Sequence, residues 1–190
     1  MAEIETQQVK LQGGQELILR TALPRDAWAV VDFRKHAAAT SRYLIARPEE
    51  YHRSSWQERS HLKRVLKTED QVYILAEDDK GDIIGLVTTQ VFRRQRTRHI
   101  IEFGIAVHSA WRGSGLGSLM LEELIRWAET VPTLEKIELH VHANNEGAIK
   151  LYQRYGFEIE GCRKAAFKYD DGTYMDDILM GRALSRLKSL

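Results

Sequence analysis

The sequence predicts a mixed α/β (α+β) domain in which one sheet is flanked by helices. Three observations predict it. Residues 72–107 hold three apolar stretches of strand length, separated by short polar turns. Lys136–Ala143 alternates strictly, with Ile137, Leu139 and Val141 on one side and Glu138, His140 and His142 on the other. Around that strand, residues 115–130 and 146–155 carry apolar side chains at helical spacing. Interleaved strand and helix patterns demand a sheet with helices packed on it. The chain has 190 residues and shows no repeat, low-complexity tract or linker, so it reads as one domain, 1–190.

The elements follow in order. Residues 1–15 are polar and end in Gly13-Gly14, which predicts a loose start or a short first hairpin. Glu16–Thr21 reads as a strand on Leu17, Ile18 and Leu19. Pro24 stands where a helix can begin, and Ala27, Val30 and Val31 supply its apolar face toward residue 39. A second helical stretch runs from Glu49 to about Lys67, with Trp56, Leu62, Val65 and Leu66 expected inside. Strands follow at Val72–Glu77, Asp82–Phe92 and His99–Val107. Asp78–Gly81 is a hairpin turn and Arg93–Arg98 a basic turn, so these strands form an antiparallel meander. The helix from about Gly115 to Thr130 sets Leu116, Leu119, Met120, Leu124, Trp127 and Ala128 on one face. Past the alternating strand, Glu146–Tyr155 is a helix with Ala148, Leu151, Tyr152 and Tyr155 inward and Gly156 as its C-cap. Phe157–Lys168 and Tyr174–Gly181 close the chain as a hairpin around Asp170-Asp171-Gly172.

Composition excludes several functions. Lys plus Arg is 28 and Asp plus Glu is 27, so nothing in the net charge favours nucleic acid or a membrane surface. The arginines of Arg93–Arg98 read as a solvated turn. Cys162 is the single cysteine and supports neither an internal disulfide nor a thiolate metal site. A cysteine nucleophile would want a histidine activator, and none is local. Glu138, His140 and His142 spread over about 13 Å of strand, which makes a polar face and not a metal site. No apolar run has the length of a membrane span. The start Met1–Glu5 lacks the basic-then-apolar pattern of a secretory leader. The expectation is a reduced, cytoplasmic protein.

The segment Val107-His-Ser-Ala-Trp-Arg-Gly-Ser-Gly-Leu-Gly-Ser-Leu-Met120 is the most informative. A strand ends, a glycine-rich turn follows and an amphipathic helix starts. Gly113, Gly115 and Gly117 let backbone amides approach a ligand, and the helix N-terminus favours a phosphate. Arg112 adds a positive charge. No Lys-Ser/Thr follows the last glycine, which excludes a nucleoside-triphosphate loop. Gly113-x-Gly115-x-x is followed by Ser118, so the dinucleotide fingerprint is incomplete.

Arg112-x-x-Gly115-x-Gly117 resembles the acyl-CoA signature of the GNAT (Gcn5-related) N-acetyltransferases. Asn145-x-x-Ala148-x-x-Leu151-Tyr152-x-x-x-Gly156-Phe157 resembles the second half of the same pattern. With their flanks the two blocks span about residues 72–182 and are similar to small bacterial members. The resemblance implies the family's acyl-CoA N-acyltransferase fold, a mostly antiparallel sheet with a splayed strand pair, here His99–Val107 and Lys136–Ala143. It implies acetyl-CoA as cosubstrate, no metal, and direct attack of a primary amine in a ternary complex. Backbone groups near Ile105, Ala106 and Val107 would pair with the pantetheine, aimed by a β-bulge at Gly104. The amides of Arg112, Gly113, Ser114, Gly115, Leu116, Gly117 and Ser118 would hold the pyrophosphate. Asn145 would cap its helix and bond the cofactor. Tyr152 matches the family's acid for the departing thiolate, a phenol of pKa near ~10 against ~8.5 for a thiol. The general base stays open: Glu102 and His140 lead, His142 and His99 are further candidates, and a water chain is an alternative. Arg42-Tyr43, Glu49-Glu50-Tyr51 and Tyr169-Asp170-Asp171 stand where an acceptor is positioned, and acids there would suit a cationic amine or polyamine. The acceptor is expected to be a small amine such as an amino acid or polyamine. A protein N-terminal acetyltransferase and a non-catalytic acyl-CoA sensor are the alternatives, and a dinucleotide-binding oxidoreductase is a third. Family habit implies a homodimer.

Overall fold

Ser54 opens a helix by accepting from the Gln57 amide while the Gln57 side chain accepts from the Ser54 amide, and Asn145 caps another through the Ala148 amide. The computed structural model describes residues 3–187. Eight strands alternate with four helices: β1 Gln7–Lys10, β2 Glu16–Thr21, α1 Ala27–Thr40, α2 Ser55–Val65, β3 Tyr73–Asp78, β4 Ile83–Val91, β5 Ile100–Val107, α3 Leu116–Thr130, β6 Lys136–His142, α4 Glu146–Arg154, β7 Glu158–Lys168 and β8 Tyr174–Ala183. They form one sheet in the order β1-β2-β3-β4-β5-β6-β8-β7. Every pairing is antiparallel except β5 with β6. The expected α/β fold is therefore the observed one.

The two sheet faces carry separate cores. Ile74, Ala76, Val87, Ile101, Ile137 and Leu139 pack under α3 and α4 with Met120, Leu124, Trp127 and Tyr152. Tyr73, Leu75 and Leu86 alternate with them and meet Val30, Phe33 and Ala37 of α1 and Leu62 and Val65 of α2. The start of α1 is fixed by charge. Buried Arg20 grips the Asp26 carboxylate at 2.7 and 2.9 Å and also pairs with Glu77, and Asp26 accepts from the Leu23 amide at 2.7 Å.

The polar start takes the second of its two expected forms, a hairpin of β1 on β2 turned by Gly14 at φ 85°. Several other expectations are corrected. The second helix begins at Ser55 and not Glu49, because Pro48–Glu50 makes a separate 3-10 turn and Ser54 supplies the cap. Trp56 was expected inside and is 74% exposed: on this short helix the inward stripe is Glu58, Leu62 and Val65. The expected bulge at Gly104 is absent, since the β4–β5 ladder runs from Gly85↔Val107 to Val91↔Ile101 without a shift. The register shifts instead between Ala76 and Glu77 of β3, and in β7 between Ile159 and Gly161 and between Arg163 and Phe167. His142 was read onto a polar face and is 5% exposed.

One feature of the sheet positions the site. β5 and β6 pair only at Ile100↔Lys136, Ile101↔Ile137 and Glu102↔Glu138. Beyond that rung β5 stays on β4 and β6 stays on β8, so the two strands part. Residues 103–107 keep one edge without a strand partner. No helix among the described residues is long and apolar enough to cross a membrane.

Candidate active site

The parting of β5 and β6 opens a cleft of ≈660 Å³. Ile105, Ala106, Val107, Arg112, Gly117, Asn145 and Tyr152 line it, with Glu102 and His140 from the two strands. The structure thus brings together most of the residues singled out in the sequence. His99 is not among them; it sits at the closed end of β5, where its carbonyl accepts from the Glu135 and Lys136 amides.

The glycine turn has the geometry of an anion cradle. Gly113 and Gly115 take φ of 77° and 92°, which an L side chain resists. The first bond of α3 runs from the Leu119 amide to the Gly115 carbonyl, so the amides of Gly117 and Ser118 are first-turn donors without helical acceptors. A Cβ on Gly117 would touch Leu151 and Val107 at 3.8 and 3.9 Å, so the helix start lies close to α4 and β5. Arg112 behaves differently from expectation. Its guanidinium donates to the Thr40 carbonyl at 2.7 Å, the Thr40 hydroxyl at 3.1 Å and the Val107 carbonyl at 3.4 Å. It joins the turn to the end of α1. A second joint lies beside it: the His36 and His108 rings stack at 4.1 Å, and burial with the neighbouring His36 and Arg112 lowers the His108 pKa.

Asn145 caps α4 through the Ala148 amide at 3.4 Å. Tyr152 is 7% exposed, edge-on to Phe103 and Phe157 at 5.9 Å each. Burial pushes its phenol up, so it keeps its proton through the neutral range. Its hydroxyl makes no hydrogen bond among the described residues, and it borders the cleft.

The base candidates are now distinguishable. Glu102 sits on the last shared rung, half-buried at the fork. His140 stands one pleat beyond the fork on the other strand. Its Nδ1 lies 2.7 Å from Oδ2 of Asp177, which is wholly buried and also accepts from Arg163 Nε at 2.7 Å and Nη2 at 2.5 Å. That bond places the imidazole proton on Nδ1 and leaves the Nε2 lone pair free. Reasoning from sequence missed Asp177; the one signal was an acid directly before the apolar run Ile178-Leu179-Met180. Glu138, by contrast, is engaged by Lys136 at 2.8 Å. The strand's three polar residues go to three separate partners.

A second cavity of ≈900 Å³ adjoins the cleft, between the α1–α2 connection and the β7–β8 hairpin. Arg42, Glu49, Tyr169, Asp170 and Asp171 line it, while Tyr43 and Tyr51 line the cleft itself. Glu50 instead accepts the Arg47 amide at 2.8 Å within its own turn. Phe167 and His142 border both spaces, their rings stacked at 4.0 Å.

The model of the acetyltransferase (GNAT) family matches residues 35–157. The chain belongs to the GNAT acetyltransferase family. Its enzymatic class, N-acetyltransferase, comes with that membership. It is 34% identical over 176 residues to the L-amino acid N-acetyltransferase AaaT of Escherichia coli K12, covering 88% of this chain and 98% of that one. A GNAT acetyltransferase structure from Streptococcus pneumoniae matches with a TM-score of 0.85 and 31% identity over 89% of this chain and 99% of that one. The yncA acetyltransferase of Salmonella typhimurium, solved with acetyl-CoA, shares the fold at a TM-score of 0.79 and 18% identity, covering 92% and 97%.

Proposed function

We propose that the protein transfers the acetyl group of acetyl-CoA to the primary amine of a small acceptor, by direct attack within a ternary complex. The observation that carries this reading is the His140–Asp177 pair facing the fork between β5 and β6, with Tyr152 bordering the same cleft. The first-turn amides of α3 and those of the glycine turn suit a pyrophosphate, and the free edge of residues 103–107 suits a pantetheine amide chain. An amide in Ile105–Val107 is placed to polarise the thioester carbonyl.

Two proton transfers remain for side chains. His140 Nε2 takes a proton from the acceptor ammonium, and the resulting imidazolium is held by Asp177. The neutral amine forms the C–N bond, and the C–S bond then breaks. The thiolate leaving with CoA takes the Tyr152 proton, and solvent returns it. Arg163 pairs with the same Asp177 oxygen, so the buried carboxylate has a cationic partner while His140 is neutral. Glu102 at the fork is then a polar lining group, not the base. The L-amino acid acetyltransferase of Escherichia coli supports a small-amine acceptor here. In this reading the protein is cytoplasmic, a single domain and a homodimer.

Calorimetric titration with acetyl-CoA, with NAD as control, tests the donor. An amine panel read by thiol release then tests transfer. Binding of acetyl-CoA without turnover of any amine would overturn catalysis; binding of NAD alone would overturn the donor.

A further inference from the structure

The second cavity contains acids, which from sequence alone suit a polycation. The structure engages each of them locally without cancelling all of their charge. Asp170 is paired with Arg47, Glu49 lies 4.0 Å from the same arginine, and Asp171 accepts from the Thr173 amide at 2.9 Å and hydroxyl at 2.6 Å. Two cations on this wall, Arg42 and Lys168, have no carboxylate within ion-pair distance among the described residues. Lys168 lies over Tyr174 at 5.5 Å. Arg42 lies over the face of Tyr169 at 4.9 Å, beside the junction with the cleft.

Tyr169 also organises a second group. Its hydroxyl is 2.7 Å from Nδ1 of His142 and donates to Asn144 Oδ1 at 3.4 Å. The 2.7 Å contact is made by either tautomer; in the one whose Nδ1–H donates to the phenol oxygen, with the phenol proton on Asn144, Nε2 carries a lone pair. That nitrogen is buried and has no hydrogen-bond partner. Burial lowers the His142 pKa, which keeps the ring neutral. A buried acceptor without a donor carries a penalty that a ligand N–H relieves. His142 borders both spaces, and Phe167 and Tyr43 fix its ring by stacking at 4.0 Å and by an edge contact at 6.0 Å.

One tyrosine therefore presents a guanidinium on its ring and a neutral imidazole acceptor on its hydroxyl. We propose that Arg42 and His142, both organised by Tyr169, select acceptors that carry a carboxylate close to the amine: Arg42 holds the carboxylate, and His142 Nε2 accepts one amine N–H. The amine is thereby presented at the junction, on the side from which His140 is reached. A polyamine offers no anion to Arg42 and meets its charge instead. This rests on the acetyltransferase reading above and narrows its acceptor class.

The test compares three acceptors of one side chain: phenylalanine, phenylalaninamide and phenethylamine, with putrescine as the polycation. In the wild-type protein, kcat/KM for the amino acid should exceed that for the amide by roughly 10- to 100-fold, the range of one charged hydrogen-bonded partner. In Arg42→Met that ratio should fall to near one, through KM of the amino acid. Arg42 is exposed, so this variant should fold; Arg42→Lys should restore part of the ratio. Turnover in which the amide, phenethylamine or putrescine is preferred would overturn the proposal and leave the acetyltransferase reading standing. So would an unchanged ratio in Arg42→Met. Bound acetyl-CoA with no amine turned over would overturn both together.

Discussion

Asp177→Asn is the most informative single change. It removes a charge from a wholly buried position while conserving shape. In the native pair Oδ2 alone serves His140 at 2.7 Å and Arg163 at 2.7 and 2.5 Å, and Oδ1 is buried without a partner. An asparagine can turn its oxygen to Arg163 and His140, which keeps the tautomer and loses the charge that stabilises the imidazolium. It can instead turn its amide, which donates to Nδ1 and moves the imidazole proton to Nε2, where a base needs its lone pair. Either orientation removes most of the general-base contribution. That contribution is typically 10²–10⁴-fold, so kcat should fall by about 10²-fold, or about 2.7 kcal/mol of barrier. Stability should change by only ~1 kcal/mol, because the lost charged bonds are offset by no longer burying an ionised carboxylate. The assay is thiol release at saturating acetyl-CoA and amine, alongside circular dichroism of the fold. His140→Gln and the double variant complete a cycle. Asp177 acts through His140, so the double variant should be no slower than His140→Gln alone. Penalties that multiply, or Asp177→Asn at wild-type kcat, would refute the reasoning. A wild-type nitrogen spectrum showing His140 protonated on Nε2 in its neutral form would refute it without any variant.

Tyr152→Phe should lower kcat by about 10²-fold with the acetyl-CoA dissociation constant unchanged by calorimetry, because the ring packing survives. The same phenol sets an alkaline limit. Its folded pKa is raised, so the unfolded chain loses that proton first, and stability present below about pH 10 should fall as pH rises above it; the Phe variant should show a shallower decline in thermal melts. Gly115→Ala meets no neighbour within 4 Å, yet φ is 92° there, so about 1–2 kcal/mol of backbone strain should lower the melting temperature and weaken acetyl-CoA binding by about tenfold. Below about pH 6.5 the His36–His108 joint should loosen. The folded His108 pKa is lowered, the unfolded chain takes up the proton first, and melting should shift downward with acid; His36→Phe, which keeps a stacked ring, should blunt that shift.

The glycine turn and the α4 cap were legible because backbone builds them. Gly113 and Gly115 at positive φ, the start of α3 and the Asn145 cap are local features, and each leaves a short pattern in the chain. The acceptor half was not, because side chains from distant segments build it. His140 meets Asp177 across 37 residues, His142 meets Tyr169 across 27, and Arg47 meets Asp170 across 123. No spacing rule reports such pairs, and alternation assigned His140 and His142 to the same face without separating an accessible ring from a buried one. Trp56 failed for a related reason: on a short helix at the rim, a large apolar residue has no obligation to face the core. The bulge expected at Gly104 rested on composition alone, and the ladder there is regular.

The two halves are not independent. Arg112 begins the donor turn, and its guanidinium holds the carbonyl and hydroxyl of Thr40, the last residue of α1. Ser41 and Arg42 follow at once, and they line the acceptor cavity. A cation on the terminal carbonyl of a helix is also favourable to that helix, so the joint is stable without ligand. Only Ser41 separates the residue that Arg112 holds from the one proposed to read the acceptor's charge. An anion that drew the Arg112 guanidinium away would take its bonds from Thr40, at the start of that wall.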